Sequence, residues 1–165
     1  MKVAIINESL NPLPKYAKQG DAGMDLMADF SKRLDDKYFD YADWDAERKV
    51  LLIFPGGRAL VPTNLYTAIP EGYEIQIRPR SGLALKQGIS VLNTPGTIDS
   101  SFRGGWGVIL INLSDSVFEV KQGDRIAQAV LHKFETIEWS EVKNLTESDR
   151  DTTGFGDSGV GSLAQ

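Results

Sequence analysis

Short runs of strand-forming residues, most of them closed by glycine or proline within a few positions, constrain this chain more than any other feature. Tyr73-Glu74-Ile75-Gln76-Ile77-Arg78 alternates apolar and polar side chains, the period of a strand with one buried face. Val108-Ile109-Leu110-Ile111 is a continuous apolar run after a Gly-rich turn, and it reads as a strand buried on both faces. Val117-Phe118-Glu119-Val120 and Arg125-Ile126-Ala127-Gln128-Ala129-Val130-Leu131 flank the turn Lys121-Gln122-Gly123-Asp124. Val50-Leu51-Leu52-Ile53-Phe54 runs into Pro55-Gly56-Gly57, a strong stop signal. Helical periodicity is scarce and no segment repeats. Closely spaced short strands predict an all-β sandwich, barrel or jelly roll.

The chain has 165 residues, enough for one domain with a sizeable core. Its net charge of −5 argues against attracting nucleic acid by bulk electrostatics. A small phosphate ligand remains open, since it needs only a local group of arginines. With no cysteine, disulfides and thiolate metal sites are excluded. Met1-Lys2-Val3-Ala4-Ile5-Ile6-Asn7-Glu8 turns polar too early for a signal peptide. No apolar run approaches the roughly 20 residues of a membrane span. The expectation is a cytoplasmic, soluble enzyme or binding module that engages no membrane and does not bind nucleic acid directly.

Two segments stand apart. Residues 31–49 carry six acidic and five basic side chains and the aromatics Tyr38, Phe39, Tyr41 and Trp44. They read as a solvated insertion whose aromatics pack on the domain, with a partner or metal surface as the other reading. Residues 149–165 hold four glycines among Ser, Thr and Asp, the composition of a flexible arm, and the predicted β domain spans residues 1–148. Phe155 between two glycines is unusual for a tail with no task.

Arg80-Ser81-Gly82-Leu83 lies just past an alternating strand. Arg offers a planar fork to phosphate oxygens, Ser a hydroxyl donor, and Gly lets backbone N–H groups approach. Gly154-Phe155-Gly156-Asp157-Ser158-Gly159, with Arg150 nearby, has the makings of a second anion cradle. Each alone also fits a plain Gly-rich turn. Together with Gln128 on a strand and Asp99 in a Gly-rich hairpin, they suggest a polyphosphate held by donors while a carboxylate orients a water. His132, the only histidine, reads as structural or surface.

Five ordered segments resemble the five motifs of the homotrimeric dUTPase family. They are Ala22-Gly23-Met24-Asp25-Leu26, Pro79-Arg80-Ser81-Gly82-Leu83-Ala84, Gly96-Thr97-Ile98-Asp99-Ser100-Ser101-Phe102-Arg103-Gly104, Gly123-Asp124-Arg125-Ile126-Ala127-Gln128, and Arg150 through Gly159. The resemblance implies an all-β, jelly-roll or β-clip type barrel. The implied activity is hydrolysis of dUTP to dUMP and pyrophosphate with Mg²⁺, in sites shared by the three subunits of a homotrimer.

It further implies that uracil enters a β-hairpin from about Asn93 to Asp99, read by Asn93 and the Thr97–Ile98 backbone. Phe102 stands where the family usually has Tyr, under the deoxyribose, and leaves no room for a 2′-hydroxyl. Asp99 contacts the 3′-hydroxyl and orients the water that attacks the α-phosphorus. Arg80, Ser81, Gly82 and Gln128 hold phosphates, and Asp25 supports Mg²⁺ through water. The arm closes with Phe155 stacked on uracil and Arg150, Gly156 and Ser158 on the phosphates.

Two departures stand out. Asp151-Thr152-Thr153 follows Arg150 where the family has a glycine-richer stretch, which stiffens the arm and adds charge beside a triphosphate. The stretch between Asp25 and Leu60 is longer than usual, which agrees with an insertion at 31–49. The rivals are a dCTP deaminase of related fold, a non-enzymatic nucleotide-sensing relative and an unrelated jelly-roll interaction protein. A deaminase needs a general acid/base on the strand after the hairpin, and Trp106-Gly107-Val108-Ile109-Leu110-Ile111-Asn112 has no carboxylate.

Overall fold

The alternating segments fold as their period demands. In the computed structural model, which describes residues 1–32 and 34–148, Tyr73–Arg78 is a strand with Ile75 and Ile77 buried and its polar partners half-exposed. In chain order the strands are β1 Ala4–Asn7, β2 Gly23–Met27, β3 Phe39–Asp45, β4 Val50–Pro62, β5 Leu65–Ala68, β6 Tyr73–Arg78, β7 Ile89–Val91, β8 Gly96–Ile98, β9 Gly107–Asn112, β10 Phe118–Lys121 and β11 Arg125–Lys133. One short helix, α1 Ser81–Gln87, and a 3₁₀ turn at Asp36–Tyr38 complete the described elements. The architecture is all-β, of jelly-roll type.

Among the described residues three antiparallel sheets form. One runs β10-β4-β9-β7 with β3 also on β4, one runs β2-β11-β6-β8, and β1 pairs β5. Leu51, Ile53, Val61, Val108, Leu110 and Val120 from the first sheet meet Leu26, Ile77, Ile126 and Ala129 from the second in a single contiguous core. Each such aliphatic side chain contributes about 1.5–3 kcal/mol on burial. A one-residue slip would turn the whole set outward, so the pattern fixes the register.

This compact unit spans Met1–Glu135. The second unit, Thr136–Gln165, is described only to Ser148 and carries no helix or strand there. The expected arm, residues 149–165, lies outside the described residues. Among the described residues no helix is long and apolar enough to cross a membrane.

Two expectations are corrected. Val108-Ile109-Leu110-Ile111 is not buried on both faces: in β9, Val108 and Leu110 are inside while Ile109 and Ile111 are half-exposed. Pro55-Gly56-Gly57 does not stop its strand, because β4 runs on to Pro62. The register passes from Ala42↔Ile53 to Asp40↔Arg58, so residues 54–57 form a bulge opposite Tyr41. Gly57 is required there, since a Cβ would lie 2.1 Å from the Tyr41 carbonyl oxygen. In residues 31–49, β3 lies along β4 in the sheet. Phe39, Ala42 and Trp44 pack against the core, as expected of aromatics in this segment, whereas Tyr38 and Tyr41 are exposed.

Candidate active site

Three strands of the β2-β11-β6-β8 sheet place a polar row on its outer face. Antiparallel register sets Asp25 of β2 opposite Gln128 of β11, and Gln128 opposite Arg78 of β6. Gln128 Nε2 donates to the Pro79 carbonyl at 2.9 Å, which pins the exit of β6 toward α1. Gly23 makes room for this side chain, since a Cβ there would meet Gln128 Oε1 at 2.4 Å.

Beyond Pro79, Arg80 is still extended and α1 begins at Ser81. The Arg80 carbonyl accepts from the Ala84 N–H at 3.0 Å. Ser81 and Gly82 are exposed. A Cβ on Gly82 would meet nothing within 4 Å, so packing does not call for glycine here, and its backbone is open to a ligand.

Arg80 turns back onto the row. Its Nε donates to Asp25 Oδ1 at 2.8 Å and its Nη1 to the Arg125 carbonyl at 2.9 Å. Arg125 Nη1 lies 3.4 Å from Asp25 Oδ2. Asp25 is thus bridged between two guanidiniums, one about a quarter exposed (Arg80, 26%) and one open to solvent (Arg125, 58%). Arg125 was missed as a site residue. Its place in the fourth motif is the only sequence signal, because its ion pair reaches 100 residues back along the chain.

Among the described residues no three His, Asp or Glu side chains gather into a metal cage. Mg²⁺ does not need one, as it keeps several waters and takes phosphate oxygens with one or two carboxylates. Asp25 fits an outer-sphere role better than direct ligation. Each of its oxygens already faces a guanidinium, yet each keeps a lone pair for a water.

The second cluster surrounds a pocket of about 280 Å³ lined by Asn93, Thr97, Ile98, Asp99 and Phe102 among others, at the small end of ligand-pocket sizes. The expected hairpin is corrected in one respect: its two arms do not pair with each other. β7 pairs with β9, whereas β8 pairs with β6, so the loop crosses between sheets and the pocket opens where they part. Leu60 of β4, Ile77 of β6, Val91 of β7 and Gly107, Val108 and Ile109 of β9 also line it.

The Thr94–Pro95 peptide in this loop is cis. A Cβ on Gly96 would lie 3.2 Å from Asn93 Nδ2, so the missing side chain lets the Asn93 amide lie across the neck. Asp99 is exposed; among the described residues its carboxylate accepts no hydrogen bond and forms no ion pair. Phe102 is 43% exposed, and a Cβ on Gly104 would meet its ring at 2.6 Å.

The structure therefore unites Asn93, Thr97, Ile98, Asp99 and Phe102 in one pocket. It brings Arg80, Gln128 and Asp25 together in another patch, with Ser81 and Gly82 adjoining in the chain. None of the patch residues lines the pocket. Arg150, Phe155, Gly156 and Ser158 lie outside the described residues. His132 is on β11, half-exposed, with Nδ1 3.4 Å from the Glu74 carboxylate.

An all-β jelly-roll domain with a small polar-rimmed pocket and a separate guanidinium patch is the class that fold and site define. A dUTPase family model matches residues 43–159. A deoxyuridine 5'-triphosphate nucleotidohydrolase of Finegoldia magna is 48% identical over 159 residues, 96% of this chain and 99% of the relative. One of Fusobacterium nucleatum is 45% identical, covering 96% of this chain and 97% of the relative. The chain belongs to the dUTPase family.

Among solved structures, the Staphylococcus bacteriophage 80alpha dUTPase with dUpNHpp superposes with a TM-score of 0.77 at 22% identity, over 96% of this chain and 99% of that one. A phage phi11 dUTPase mutant that coordinates a structural Mg(II) ion superposes at 0.70 with 18% identity, over 89% and 100%. At these identities the likeness speaks to the fold.

Proposed function

We propose that this chain hydrolyses dUTP to dUMP and pyrophosphate. The observation that carries the reading is the free Asp99 carboxylate on the rim of the pocket that also holds Asn93, Thr97, Ile98 and Phe102. Uracil enters this pocket and is read by the Asn93 amide and the Thr97–Ile98 backbone. Cytosine presents a donor where an acceptor is needed, and each polar group left unpaired costs about 1–3 kcal/mol. The Phe102 ring lies under the deoxyribose and excludes a 2′-hydroxyl by volume, a role that needs no phenol.

Asp99 accepts a hydrogen bond from the attacking water and takes its proton as the water oxygen bonds to the α-phosphorus. The bond from that phosphorus to the bridging oxygen breaks, and pyrophosphate leaves with the electron pair. Arg80, Ser81, Gly82 and Gln128 hold the phosphates in line, so the chain supplies positioning and charge. Mg²⁺ bound with the triphosphate would supply further charge neutralisation, and Asp25 would hold it through water. Arg150, Phe155, Gly156 and Ser158 serve as the closing arm.

A homotrimer with shared sites is part of the reading. It is supported by the separation of pocket and patch within one chain, since a neighbour's patch can complete each pocket. The product dUMP serves thymidylate synthesis, and removal of dUTP limits uracil in DNA.

A pyrophosphate-release assay across the deoxynucleoside triphosphates and UTP, with and without Mg²⁺, tests this. Fast, Mg²⁺-dependent turnover of dUTP alone is expected. Ammonia release from dCTP would replace the reading with the deaminase one.

A further inference from the structure

We propose that Arg103 is the positioning residue that sets the distance between the Asp99 carboxylate and the Phe102 ring, and so couples water activation to sugar selection. The inference rests on the reading of the pocket as a dUTP site. Asp99 and Phe102 are the two ends of one four-residue turn, closed by the Phe102 N–H donating to the Asp99 carbonyl at 3.1 Å. A single bond of this kind leaves the intervening peptides free to rotate.

Arg103 removes that freedom. Its Nη1 donates to the Ser100 carbonyl at 2.6 Å and to the Phe102 carbonyl at 2.8 Å, so one nitrogen ties the middle of the turn to its end. Charge-assisted bonds of this type are shorter and stronger than neutral ones. Among the described residues Arg103 forms no ion pair with a carboxylate, so its cationic head serves the two carbonyls. The Phe102 ring then folds back over Gly104, where a Cβ would stand 2.6 Å from its Cζ. Ring, carbonyl clamp and glycine form one small unit whose only outward products are the orientations of Asp99 and Phe102. Arg103 is itself exposed, so the core does not depend on it.

Three proteins test this: wild type, Arg103→Met, which keeps the stem and loses the donors, and Arg103→Lys, whose ammonium can again reach two carbonyls. The readouts are kcat and KM for dUTP and the ratio of kcat/KM for dUTP over UTP. Arg103→Met is expected to lower kcat at least tenfold with KM changed less than threefold, and to lower the dUTP/UTP ratio at least tenfold. Arg103→Lys is expected to recover most of both.

Gly104→Ala puts a Cβ 2.6 Å from the Phe102 ring and so displaces it while the Arg103 donors stay in the chain. It should lower the same ratio, and it keeps the test intact if Arg103→Met folds poorly. A raised KM with unchanged kcat and ratio in Arg103→Met would make Arg103 a phosphate contact and overturn the inference. Wild-type behaviour of Arg103→Met would overturn it too. If wild-type protein does not hydrolyse dUTP at all, the functional reading itself falls. If it does and discriminates against UTP, only the role of Arg103 is at stake.

Discussion

Arg80 Nε donates to Asp25 Oδ1 at 2.8 Å across 55 residues of sequence, so the guanidinium assigned to phosphate is already held by a carboxylate. Arg125 approaches the other oxygen at 3.4 Å. On the proposed reading Asp25 has two opposed parts: it aligns Arg80, and it competes with the triphosphate for it.

Asp25→Asn separates these parts. Without Mg²⁺ the variant is expected to bind a non-hydrolysable dUTP analogue about two- to fivefold more tightly, the scale of a partly exposed ion pair. With Mg²⁺, turnover should fall at least tenfold, because a neutral amide with one acceptor oxygen and a donor would replace the carboxylate that would hold the metal's waters. Isothermal titration with and without the metal, alongside steady-state rates, reads both signs. Weaker binding in Mg²⁺-free buffer would show that Asp25 orients Arg80 without competing for it.

Asp99→Asn keeps the shape of the side chain and removes its basicity. Turnover should drop by about 10²–10⁴-fold, the range for a positioned general base. The dissociation constant of the same analogue should stay within about threefold, because the rest of the pocket is untouched. Single-turnover kinetics with analogue titration measures the two separately, and a rate within tenfold of wild type would remove Asp99 from the chemistry.

Local periodicity made much of this fold readable. The alternation in residues 73–78 gave both the strand and its buried face, and the run from Arg125 gave β11 to within two residues of its end. Long-range partners were not readable. Pro55-Gly56-Gly57 looks like a terminus because stop signals are local, yet the Tyr41 carbonyl, brought over by β3, turns it into a bulge. The apolar run in β9 misled for a related reason: Ile109 is apolar because it lines the pocket, an outward role that composition cannot tell from burial. The motif residues of the pocket were legible together, but the separation of pocket and patch was not. It depends on β7 and β8 joining different sheets.

Gly57→Ala tests whether the insertion is structural. The new methyl would stand 2.1 Å from the Tyr41 carbonyl oxygen and 2.9 Å from that of Phe54, and two backbone carbonyls cannot both yield cheaply. A loss of about 1–3 kcal/mol is expected, read as a lower thermal midpoint, with kcat for dUTP at 25 °C within about twofold. The pocket takes its lining from β6 to β9 and the loops between them, with Leu60 the one contribution from β4. A large drop in kcat at unchanged midpoint would tie residues 31–49 to catalysis instead.

Asp29 gives the fold a pH dependence of definite sign. Its side chain is fully buried, and burial alone pushes a carboxyl up. Donors outweigh that: the Ser31 hydroxyl, the Leu10 N–H at 2.6 Å, the Asn64 amide at 2.8 Å and the Ser31 N–H at 3.0 Å. The Asp29 pKa falls from the ordinary 3.8 to about 2. A carboxyl whose folded pKa lies below its unfolded one stabilises the fold fully above the unfolded value, and this contribution is lost as pH falls toward the folded value. The window is therefore about pH 4 down to about pH 2, with a loss on the order of 2 kcal/mol. In Asp29→Asn an amide group must face donors from Leu10, Asn64 and Gln122, whose Nε2 donates to Asp29 Oδ2 at 3.1 Å, so this variant should be less stable near pH 6. Urea unfolding of both proteins between pH 2 and pH 6 measures the gap, which should narrow as pH drops through that window. A gap that stays constant would place the loss in packing, with the ionised carboxylate contributing nothing.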